Sequence, residues 1–133
     1  MIRLSLRTGA RTELVDLTGR LQDVVRQNGW RDGLLHVFIP HTTAGVTINE
    51  GADPSVQRDI LTTLARLVPH RGDYQHAEGN SDAHVKASLT GSGAWVPVEA
   101  GTLALGTWQA VYFAEFDGPR SRSVWILFVP AAP

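Results

Sequence analysis

The sequence contains no cysteine among its 133 residues. That excludes disulfides, thiolate metal ligands and a thiol nucleophile, and it fits a reducing compartment without requiring one. Lysine is nearly missing as well: of the 12 basic residues only Lys86 is a lysine, and the rest are arginines. These arginines are interspersed among 13 Asp and Glu, for a formal net charge of −1. No basic run of the kind that binds nucleic acid is present. No apolar run approaches the roughly 20 residues of a membrane span, and the stretch after Met1 lacks the long apolar core of a signal peptide. The expectation is a soluble, cytoplasmic protein that binds neither nucleic acid nor membrane. A chain of this length is expected to form one domain, residues 1–133, and to bury a core without staples.

What is present alternates between strand and helix signals. "IRLSLRT" alternates apolar and polar residues as a half-buried strand does, and "RTELVDL" reads as a second short strand. "DLTGRLQDVVRQNGW" is helical, with Thr18 as its cap, Leu17, Leu21, Val24 and Val25 at helical spacing, and Asn28-Gly29 as its stop. "GLLHVFIP" predicts a buried strand holding His36, and "AGVTINE" continues extended. "DPSVQRDILTTLARLVP" is the clearest helix: Asp53 caps it, Pro54 occupies the first position, and Val56, Ile60, Leu61, Leu64 and Leu67 form one stripe. A short helix capped by Ser81 follows a polar loop. The two β-rich runs "TLALGTWQAVYFAEFDG" and "SRSVWILFVP", joined by "DGPR", predict a C-terminal β-hairpin. The expected class is α+β: a mostly antiparallel curled sheet or sandwich with two main helices.

Three polar stretches are candidates for chemistry. "HAEGNSDAH" packs His76, Glu78, Asn80, Asp82 and His84 into nine residues. Imidazole and carboxylate donors suit a divalent metal, though the spacing matches no standard zinc signature. A solvated loop whose polar groups cap helix ends explains the same composition equally well. "HTTAGVTINE" places His41 at a strand end, beside the hydroxyls of Thr42 and Thr43 and ahead of Asn49 and Glu50. Here His41 and Glu50 point to function, whereas Asp53 reads as a helix cap. The third stretch carries Trp108, Gln109, Glu115, Arg120 and Arg122. Arg120 is equally suited to gripping an anion and to pairing with Glu115 across the turn, and Arg122 reads rather as the structural partner. His36 reads as a core or interface histidine.

Together "HTTAGVTINE", "HAEGNSDAHVKASLTG" and "LALGTWQAVYFAEFDGPRSR" closely resemble the YjbQ family, in its order and over nearly the whole chain. Members of that family are labelled secondary thiamine-phosphate synthases. The resemblance implies an α+β fold with an extensive antiparallel sheet, and a homotrimer with the polar motifs near subunit boundaries. It implies a site with His41, Glu50, His84 and Arg120 as catalytic groups. Substrate contacts would come from Thr42, Thr43, Asn49, Asn80, Lys86, Trp108 and Gln109. His41, His76 and His84 would then hold one divalent metal (zinc, manganese or magnesium). The implied reaction joins a pyrimidine diphosphate to a thiazole phosphate and releases pyrophosphate; "secondary" suggests that another small phosphorylated metabolite is the physiological substrate. A non-catalytic protein that binds a metal or an anion is the alternative.

Overall fold

The computed structural model describes residues 1–133. In chain order the elements are β1 (Ile2–Arg7), β2 (Glu13–Asp16), α1 (Thr18–Gln27), β3 (Gly33–Phe38), β4 (Ala44–Glu50), α2 (Pro54–Leu67), α3 (Ser81–Thr90), β5 (Gly93–Glu99), β6 (Thr102–Leu103), β7 (Gln109–Glu115) and β8 (Ser121–Pro130). They form two antiparallel sheets, a larger one in the order β1-β8-β3-β5-β6 and a smaller one in the order β2-β7-β4.

The period-two pattern of the strands decides what faces inward. Leu35 and Val37 on β3, Val96 and Val98 on β5, and Val124 and Ile126 on β8 lie in one core. Val46 of β4, Phe113 of β7 and Leu21, Val24 and Val25 of α1 close it from the other side. β3 is therefore buried on one face only: Leu34 and Phe38 are exposed on the other, and His36 lies between them against Trp95. A second, smaller cluster of Ala83, Ala87, Ala114 and Phe116 is covered by Leu61 and Leu64 of α2. Helix α2 keeps its Asp53 cap, whose carboxylate accepts from the Ser55 N–H, but it buries no residue fully, and Leu67 stays exposed.

Three sequence expectations change. The C-terminal hairpin does not form: β7 lies between β2 and β4, β8 lies between β1 and β3, and the "DGPR" turn carries the chain from one sheet to the other. The reason is burial on two sides. Residues 110–115 of β7 are buried without interruption, as in a strand covered on both faces, whereas β8 starts with alternating burial, as in a strand with one face open. Thr18 does not cap α1; Leu17 is the cap residue, and the Thr18 hydroxyl accepts from the Val111 N–H. Ser81 is the first residue of α3 rather than its cap, which is Asn80, and α3 makes a third helix of ten residues.

Candidate functional site

An open cleft of ≈ 560 Å³ forms where β3 leaves its sheet. The segment from Phe38 to Thr43 makes one wall, Glu78, Asn80 and His84 make the second, and Asp117, Arg120 and Arg122 the third. A concave site with convergent polar groups is where ligands bind most often.

His41 is fixed by the ending of a strand. β3 pairs with β8 as far as Phe38 opposite Trp125. Beyond that the Ile39 N–H turns to the Ser92 carbonyl at 2.8 Å, and Pro40 has no N–H to offer. Ser123 of β8 thus lies past the last paired residue of β3. Its N–H donates instead to His41 Nε2 at 2.9 Å. A ring nitrogen that accepts carries no proton, so the neutral ring holds its proton on Nδ1. Burial first, and the charge of Arg122 second, hold the His41 pKa below the ordinary histidine value, against an opposing pull from Glu115.

Behind His41 lies a buried ion pair. Arg122 donates through Nε to Glu115 Oε1 at 2.9 Å and through Nη2 to Glu115 Oε2. The same Nη2 reaches Thr43 Oγ1 at 2.9 Å. The Thr8 hydroxyl donates to Glu115 Oε1 at 2.7 Å, and the N–H groups of Phe116 and Asp117 donate to Oε2 at 3.0 and 3.1 Å. Burial pushes the Glu115 carboxyl up, but the bonds from Arg122, Thr8 and Asp117 outweigh it and leave its pKa below the usual range. Arg122 Nη1 makes no hydrogen bond within the chain, so the guanidinium is anchored along one edge while the residue lines the cleft.

At the mouth, Arg120 is oriented by Asp117, donating from Nε to its carbonyl at 2.7 Å and from Nη2 to its carboxylate at 2.9 Å. Asn80 Nδ2 donates to the same carboxylate at 2.9 Å. Asn80 is also the cap position of α3, but its side chain makes no capping bond to the helix. His84, one turn on, meets His76 edge-to-face with ring centroids 5.4 Å apart. His76 Nε2 stands 3.6 Å from Glu78 Oε2.

The sequence candidates thus separate into groups. His41, Thr42, Thr43, Asn80, His84 and Arg120 share the cleft. Glu50, Asn49, Trp108 and Gln109 do not join them. They border a separate shallow depression of ≈ 240 Å³ at the opposite end of β4, about 20 Å away for a seven-residue strand. There they brace loops: Glu50 Oε2 accepts from the Ala52 N–H, Asn49 Oδ1 from the Glu50 N–H, and Gln109 Oε1 from the Gly106 N–H. Lys86 does not reach the cleft either. It is buried against Asp82, Nζ to Oδ2 2.8 Å, and Arg11 grips the same carboxylate from outside at 3.0 Å. Asp82 is held below its ordinary pKa by these bonds, although burial alone would raise it. The three histidines do not fit a common metal. His41 Nε2 is occupied by an amide proton, a bond that leaves Nδ1 protonated and unable to coordinate. No three His, Asp or Glu side chains converge as a ligand group. Glu78, Asp117 and Arg122 also line the cleft, outside the candidate set. For Arg122 the sequence signals were an arginine after the turn, able to grip an anion, and its pairing with Glu115.

A family model described as "UPF0047 protein YjbQ-like" matches residues 2–131. A UPF0047 protein of Methanocaldococcus jannaschii is 43% identical over 97% of this chain and 94% of its own. The UPF0047 protein YugU of Bacillus subtilis is 45% identical over 92% and 94%. Among solved structures, a protein of the yjbq/upf0047 family from Clostridium acetobutylicum superimposes with a TM-score of 0.95 at 51% identity, covering 97% of this chain and 100% of its own. The conserved hypothetical protein TT1486 from Thermus thermophilus gives a TM-score of 0.91 at 43% identity over 97% and 100%.

Proposed function

The chain belongs to the YjbQ-like UPF0047 family, and we propose that its cleft binds a small phosphorylated metabolite and acts on it as an enzyme. The observation that carries this reading is the juxtaposition of unspent donors. His41, Arg122 and the half-exposed Arg120 line one cleft next to the uncapped start of α3, and His41 Nδ1–H and Arg122 Nη1 have no partner within the chain. Oxyanions seek such donors, and fixed donors stabilise charge that develops on a leaving phosphate or pyrophosphate. His84, at the second wall, is the group placed to carry a proton. The donor set gives no support to a three-histidine metal, so no step is assigned to one. Joining a pyrimidine diphosphate to a thiazole phosphate, as the resemblance implies, is the first reaction to assay.

Calorimetric titration with inorganic phosphate and with phosphate monoesters tests binding, and pyrophosphate release from the paired thiamine precursors tests turnover. Saturable binding and turnover, both lost in a folded His84→Ala protein, support the enzyme. Binding that supports no turnover selects the non-catalytic anion-binding protein. No binding refutes both.

The outward face of the larger sheet supports assembly into the expected homotrimer. Leu34, Trp95, Leu127 and Val129 are exposed side by side there, Leu34 opposite Val129 and His36 opposite both Trp95 and Leu127. Contiguous apolar patches of this kind mark interaction surfaces.

A further inference from the structure

We propose that His41 is a fixed hydrogen-bond donor, locked with its proton on Nδ1 by the Ser123 N–H, and that Arg122 and Glu115 are the positioning residues that keep the lock closed. The inference rests on the reading of the cleft as an anion site and adds what that site selects: the ligand atom at His41 must be an acceptor, such as a phosphoryl or carbonyl oxygen. A ring nitrogen free to take either tautomer could accept from a ligand hydroxyl or bind a metal. Here Nε2 is already engaged at 2.9 Å.

The lock consists of two backbone segments tied together at two adjacent points. Ser123 follows Arg122 on β8, and Thr43 lies two residues beyond His41. Arg122 Nη2 bonds both the hydroxyl of Thr43, at 2.9 Å, and its carbonyl, at 3.4 Å. The Arg122–Thr43 bonds therefore clamp the 41–43 segment to β8 right beside the Ser123–His41 bond. Glu115 in turn holds the guanidinium in its plane through Nε and Nη2, as a bidentate carboxylate does. Thr8 adds a bond to Glu115 from the start of the chain. All four of these supporting side chains are buried, so water does not compete for the contacts. The other charged groups of the cleft, Glu78, Asp117 and Arg120, make no hydrogen bond to the imidazole. Its tautomer is therefore set from the sheet side.

Ring-nitrogen NMR on the ¹⁵N-labelled protein at pH 7.5 reads the tautomer directly. His41 is identified by the signals that vanish in His41→Gln. The expected pattern is one protonated nitrogen, Nδ1, and one unprotonated nitrogen, Nε2, with Nδ1 moving when inorganic phosphate is added. An Nε2–H pattern, or the averaged shifts of two exchanging tautomers, overturns the proposal. Added zinc is expected to leave both His41 nitrogens unmoved, and coordination at either one overturns it too. In a folded Arg122→Lys protein the averaged pattern is expected; a persistent Nδ1–H refutes the positioning role of Arg122. Should that variant not fold, Thr43→Val removes the clamp's hydroxyl and is read in the same way. If the tautomer is as stated but phosphate leaves the cleft untouched, the anion reading fails alone. If phosphate binds and the tautomer differs, the lock fails alone.

Discussion

Glu115 and Arg122, like Asp82 and Lys86, carry charge into the interior of a small protein. Each pair is stable there because several donors surround its carboxylate, and each is brittle for the same reason. Removing one partner strands the other without water. Glu115→Leu is expected to lower the unfolding free energy by about 3–5 kcal/mol, measured by urea denaturation. Adding Arg122→Met to it should recover most of that loss, because the stranded cation disappears. Equal stability of the single and double variants would sink this account. The same carboxylates fix the acid limit. Glu115 and Asp82 have folded pKa values below their ordinary 4.5 and 3.8. As pH falls the unfolded chain therefore takes up these protons first. Their stabilisation is complete above about pH 5 and is lost as pH drops through 4.5 and 3.8 toward the folded values. Melting temperatures recorded from pH 7 to pH 3 should fall over that window, and less steeply in Glu115→Gln. A midpoint insensitive to pH in this range would contradict both pairs.

Helix α3 and strand β4 meet more closely than their sequences announce. A Cβ at Gly45 would stand 2.5 Å from the Gly91 carbonyl oxygen at the end of α3. The Val46 N–H accordingly bonds that same carbonyl at 3.0 Å. Gly45→Ala must push the two elements apart, at a cost of about 1–3 kcal/mol. Because α3 carries His84 to the cleft, ligand affinity should fall along with the melting temperature. A variant as stable as the parent would show that the approach is not tight. Such element-to-element contacts also explain what could be read in advance. Asp53 and Pro54 declare the start of α2 locally, and alternation declares β1. The "DGPR" segment declares a turn but not the partners of the strands beside it, since pairing is decided by burial far along the chain. In the site, His41 with Asn80, His84 and Arg120 were legible as chemistry. That Glu50 and Trp108 lie apart from them was not, because only the direction of β4 sends them to the far end. The pairing of Arg122 with Glu115 was legible too, whereas the turn chemistry alone left open whether Arg120 would join it or stay at the rim.

At the scale of the whole molecule, two predictions follow from the surface and from the donor set. Light scattering should give three times the 14.5 kDa of one chain, and placing a charge in the outward sheet face, Leu127→Glu or Trp95→Glu, should yield smaller species that remain folded by circular dichroism. A wild-type monomer would remove the trimer. Dialysis against a chelator should leave phosphate binding unchanged; its loss, restored by one divalent ion, would demand ligands other than the three histidines as they stand. One contact joins the local and the global. The Ser123 amide belongs to the framework of the larger sheet, yet its acceptor is the imidazole that borders the cleft. An oxygen drawn to Nδ1–H polarises the ring and makes Nε2 a stronger acceptor. That amide should therefore exchange its hydrogen with solvent more slowly when the cleft is occupied, so that a single backbone proton serves as a gauge for screening candidate metabolites before any reaction is known.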